Sequence, residues 1–135
     1  MSNNPYNVYQ DVHKEGMSQR ELEASVLMKA AVKLKSCQDN WNTPARETLL
    51  EEAVKYNQKV WSFFQSELPM PDNPLPRKLR EDILNLSVFI DKRLFEVLAY
   101  PEPQKLNIVI DINMNLAAGL RTKPESQEEY TAKAV

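Results

Sequence analysis

Residues 56–76, YNQKVWSFFQSELPMPDNPLP, decide the fold. A Trp and two Phe fall within four residues, an Asn stands ahead of them, and four Pro follow. Laid out at about 100° per residue, Leu49, Leu50, Ala53, Val54, Tyr56, Val60, Trp61, Phe63, Phe64 and Leu68 cover about half of a helical circumference. Glu51, Glu52, Lys55, Gln58, Lys59, Ser62 and Ser66 fill the other half. The spacing therefore predicts an amphipathic helix. Its apolar arc is wider than one neighbour can cover, so it should touch two other helices, or one helix and something external. Thr43 is the expected N-cap, with Pro44 at the first helical position, where its missing N–H costs nothing. In PMPDNPLP each X-Pro step turns the chain away from helix, which makes this segment a turn.

Working outward, the same period recurs on both sides. Upstream, Ser18 and Glu21 in SQRE are spaced as a capping box. Leu22, Val26, Ala30, Leu34, Cys37 and Trp41 follow as a stripe widened by Leu27, and DNWNTP ends that helix. Downstream, a third helix starting near Asn73–Pro74 or Pro76 carries Leu79, Ile83, Leu86, Ile90, Leu94, Val97 and Leu98 on its main face. A second row, Leu84, Val88 and Phe95, lies on an adjoining face with Asp91 inside it, a spacing that suits contact with another helix. YPEP stops it. A fourth helix over residues 103–120 places Leu106, Val109, Ile110, Leu116, Ala117 and Leu120 on one stripe. Ile108, Ile112 and Met114 extend that stripe, and Gly119 is the expected C-terminal signal. The fold class is all-α, a four-helix bundle-like single domain over 18–120. A polar N-terminal arm is expected over 1–17 and a disordered tail over 121–135.

The chain has 135 residues, 42% hydrophobic and 27% charged, enough for one core without staples. Two Gly argue against a turn-rich β fold and against a phosphate-binding glycine loop. Net charge is -2 and evenly spread: residues 1–70 carry eight Lys/Arg and nine Asp/Glu, leaving nine and ten of the seventeen and nineteen for 71–135. No basic stripe stands out, so direct nucleic-acid binding is not expected. A single Cys, no leader-like N-terminal segment and no long apolar run point to a cytoplasmic protein without membrane insertion.

Two polar residues interrupt the apolar arcs: Asn57 in the second helix and Asn113 in the fourth. A buried amide without partners would cost about 1–3 kcal/mol. Each is therefore expected to bond a helix end, a loop backbone or the other Asn, as a structural polar group or as a pair that sets helix register. For Asp91, a salt bridge to Arg or Lys is the expected arrangement. The sole His, His13, and the sole Cys, Cys37, cannot assemble a zinc site. No nucleophile, zincin or calcium-loop motif occurs, and neighbouring carboxylates such as Glu51 and Glu52 point apart on a helix. No catalytic residue, metal or cofactor is expected. Protein recognition remains, with an amphipathic partner helix laid on surplus apolar surface. Tyr56, Trp61, Phe64, Leu84, Val88, Phe95, Ile108 and Ile112 are the candidate partner contacts, and for any single one of Trp61, Phe64, Val88 or Ile112 the core is the favoured alternative.

The segments ASVLMKAAVKLKSCQDNW, YNQKVWSFFQSEL, PDNPLPRKLREDILNLSVFIDKRLFEVLA and LNIVIDINMNLAAGL occur in an order and spacing that resemble the FlaF family of flagellar proteins over about residues 6–120. The matching positions include Tyr56, Asn57, Trp61, Asp72, Asn73, Asn85, Asp91 and Asn113. The resemblance implies a non-enzymatic cytoplasmic factor of flagellum assembly with flagellin as partner, acting as a secretion chaperone. FlbT and the flagellar export apparatus are further implied partners. The alternative is a post-transcriptional regulator of flagellin synthesis acting with FlbT or flagellin mRNA. A third reading is a structural subunit held as a homo-oligomer by its fourth helix.

Overall fold

The computed structural model describes residues 18–122, and the 1–17 arm and the tail from 123 lie outside them. Four α-helices, joined by turns and one 3₁₀ segment, make up the described residues, which contain no strand. They are α1 (Gln19–Asp39), α2 (Arg46–Glu67), α3 (Arg77–Ala99) and α4 (Asn107–Leu120), with the 3₁₀ turn Pro103–Leu106 leading into α4.

Each boundary has a local cause. Ser18 caps α1, its hydroxyl accepting from the Glu21 amide at 3.1 Å. The expected start of α2 needs correcting. Thr43 does not cap it and Pro44 is not its first residue. The Thr43 hydroxyl donates to Asn40 O at 2.8 Å and accepts from Ala45 N, which folds residues 40–45 into a turn and delays the helix to Arg46. The turn after α2 is held by Asn73, whose side chain donates to Glu67 O at 3.2 Å and accepts from Leu75 N at 3.0 Å. Leu75 is thereby directed into the core, and Arg80 closes the turn by donating to Leu68 O and Met70 O. The fourth helix, expected over 103–120, begins as a 3₁₀ turn at Pro103 and becomes α only at Asn107. Gly119 is no C-terminal stop: it is buried inside α4, which ends at Leu120 with Arg121 as C-cap in ordinary right-handed geometry, φ -80°. Thr122 donates to Gly119 O, so ordered structure continues two residues into the segment expected as tail.

Helix α1 is central. It packs most extensively on α4, next on α2, and also touches the 3₁₀ turn. Gln38 near its end donates to Pro103 O at 2.8 Å and Asn107 Oδ1 at 2.7 Å, tying the last turn of α1 to the start of α4. Helix α3 is peripheral and rests on α2 and the 3₁₀ turn. One continuous core joins all of these, with Leu27, Leu34, Trp61, Phe64, Ile90, Leu94, Leu106 and Leu120 among its most buried side chains. Leu98, expected in the main stripe of α3, is instead exposed, because among the described residues α3 packs chiefly on α2 and the 3₁₀ turn through the face that holds Leu94 and Val97.

Candidate functional site

The interior holds a polar chain built from three helices. Asn113 of α4 donates through Nδ2 to Asn57 Oδ1 on α2 at 2.7 Å. Asn57 Nδ2 donates to Ala53 O at 2.8 Å and, across the helix pair, to Ala30 O on α1 at 3.2 Å. Trp61 Nε1 donates to Asn113 Oδ1 at 3.0 Å. Both amides are fully buried, and each makes bonds in both directions. The arrangement fixes the register of α1, α2 and α4 about one point.

Two of the candidate contacts take the core alternative. Trp61 and Phe64 are 0% and 1% exposed, their rings 5.6 Å apart, and they offer no surface to a partner. The indole N–H needs the Asn113 acceptor, and that bond draws the ring inward. Tyr56 lies at the edge between α1 and α2, half-buried beneath Lys29 and Lys33, whose ammonium groups stand 5.7 and 5.2 Å from its ring centre. Burial pushes its hydroxyl pKa up. Ile112 is partly covered and Ile108 is exposed on α4.

The second row of α3 is where apolar side chains meet solvent. Leu84 is half-covered, Val88 is 54% exposed and Phe95 69%. Leu98 continues the row, a continuation legible in its three-residue step from Phe95 but outweighed by its place near the main stripe. Asp91 sits inside the row. The expected salt bridge is not what forms: Asp91 Oδ2 accepts from the Gln65 amide of α2 at 2.9 Å, and among the described residues no Lys or Arg pairs with it. Arg93 on the opposite side of α3 stacks on Phe89 and donates to Lys105 O.

Sequence reasoning missed Glu23, a carboxylate 5% exposed on α1. Burial pushes its pKa up to about 7. The bond from the Gln19 side chain and the Arg20 charge oppose the shift, and the Glu67 charge adds to it. Its position between Leu22 and Ala24, both buried, was the available signal.

Among the described residues no cluster of three or more His, Cys, Asp or Glu is placed to hold a metal ion, and no helix is long and apolar enough to cross a membrane. A family model described as "Flagellar protein FlaF" matches residues 6–120. No curated protein and no solved structure matches the chain.

Proposed function

The chain belongs to the FlaF family of flagellar proteins, and from that premise we propose that it is a non-enzymatic assembly factor that binds flagellin in the cytoplasm and supports its synthesis and export. The observation that carries the proposal is the exposed apolar row of α3, where Val88 and Phe95 are exposed on a flank that, among the described residues, no other helix packs against extensively. A surface of this kind suits an amphipathic helix better than a small substrate. Burial contributes about 0.8 kcal/mol per CH₂, so a few such anchors give useful affinity after the cost of association. Ile108 and Ile112 on α4 are secondary contacts, and FlbT and the export apparatus are further partners under the same reading.

Regulation through flagellin mRNA has weaker support, because the near-neutral, evenly spread charge lacks the footprint of an RNA binder. The test is titration of the purified protein with monomeric flagellin, followed by calorimetry and co-elution. A one-to-one complex at micromolar concentration is expected. Two folded proteins that elute separately at that concentration would overturn direct binding. Salt-sensitive binding to flagellin leader RNA without binding to flagellin would put the regulator in its place.

A further inference from the structure

On α3, Leu84, Val88, Asp91, Phe95 and Leu98 follow one another at steps of four, three, four and three. That is the a/d period of a two-stranded coiled coil. Val88 and Phe95 fall at one core position, and Leu84, Asp91 and Leu98 at the other. On the flank toward α2, Ser87 and Leu94 are buried, so the seam borders the folded core without being consumed by it. The seam is apolar at both ends and acidic at its midpoint. Asp91 is half-buried there with Gln65 as its hydrogen-bond donor.

That midpoint constrains the occupant. A helix laid along the seam would exclude water from Asp91. A carboxylate desolvated with one neutral amide for company is costly, whereas a facing cation offsets the loss. A second copy of this chain paired through the same α3 seam does not supply the cation. In a parallel in-register pair Asp91 would meet its own counterpart. In an antiparallel pair, where a faces d, it would meet Val88 or Phe95. We infer that the α3 seam docks a helix of a different chain whose apolar stripe follows the same period and is interrupted midway by a Lys or Arg paired to Asp91. Resting on the flagellin-binding reading, this assigns the contact to an amphipathic helix of flagellin with a basic residue inside its apolar stripe.

The experiment uses the full-length protein and two kinds of probe. The first is a pair of synthetic amphipathic helices of roughly three heptads, identical except for Lys or Glu at the central seam position. By calorimetry the Lys peptide is expected to bind about tenfold more tightly or better, the scale of a desolvated charge partner. Asp91→Lys should invert the preference, and Phe95→Glu should abolish binding of both peptides without lowering the melting temperature. Equal affinity for the two peptides, or binding of neither, overturns the inference. The second probe is monomeric flagellin. If wild-type protein binds it and Phe95→Glu binds it equally well, the seam is not the docking surface and the flagellin-binding reading survives. If wild-type protein ignores flagellin yet discriminates the peptides, the seam stands and the flagellin reading falls. A wild-type dimer in sedimentation that Phe95→Glu converts to monomer would assign the seam to a second copy and overturn the inference.

Discussion

Asn113 serves two partners at once: its amide nitrogen donates to Asn57 and its oxygen accepts from Trp61. Asn113→Ala should therefore cost more than one hydrogen bond. It leaves Asn57 Oδ1 and the indole N–H buried with nothing to replace them, and a loss of about 2–4 kcal/mol is expected by urea denaturation. A loss below about 1 kcal/mol would mean that water reaches the site. Glu23 supports a prediction of opposite character. Its folded pKa of about 7 lies above the ordinary carboxyl value of 4.5, so the fold disfavours its charged form. The stability it contributes is fully present below pH 4.5 and is lost as pH rises through about 7. From this group alone the protein should be about 3 kcal/mol less stable at pH 8 than at pH 4.5. Glu23→Gln should remove that decline and raise stability at pH 8. Denaturation curves for both proteins at the two pH values check it, and parallel pH dependences would refute it.

At the scale of elements, the turn between α2 and α3 shows how a local motif serves a distant purpose. Asn73 satisfies one carbonyl at the end of α2 and one amide of the turn, and Leu75 plugs the core two residues later. Asn73→Ala should cost about 1 kcal/mol and loosen the placement of α3, read as earlier thermal unfolding with faster amide exchange in the first turns of α3. No change in either would show that Arg80, bonded to Leu68 O and Met70 O, holds the turn alone. The individual helices were legible in the sequence because period, cap and Pro punctuation all act within a few residues. The misplaced start of α2 has a local reason: the Thr43 side chain bonds back to Asn40 O, an alternative to capping that Ser, Thr, Asn and Asp always hold open. Gly119 misled for a different reason. A glycine near a helix end reads as a left-handed stop, and here it lies inside the buried last turn.

Across the whole molecule, α1 is held by α2, α4 and the 3₁₀ turn, whereas α3 rests on α2 and that turn. Opening should therefore follow this hierarchy. Native-state amide exchange is expected to show the highest protection in α1 and α4, and lower protection in α3 beyond Ile90. Uniform protection over all four helices would indicate a single cooperative unit. Among the described residues α3 is held mainly on one flank, and such a helix can present its other flank to a partner without the core being disturbed.

The sequence by itself determined the helices, their apolar faces and the need of Asn57 and Asn113 for partners, because periodicity and the cost of a buried amide are local properties. It also determined the family, through motifs spread over residues 6–120. Only the tertiary structure decided which apolar residues are interior. Trp61 and Val88 both lie on apolar rows of similar quality, yet one is sealed and the other stands in water. A helical wheel gives the direction in which a side chain points, and the number of neighbours waiting there is set by packing. The pairing of Asn57 with Asn113 was likewise beyond the sequence, since 56 residues separate them and only the crossing of α2 and α4 brings the amides to 2.7 Å.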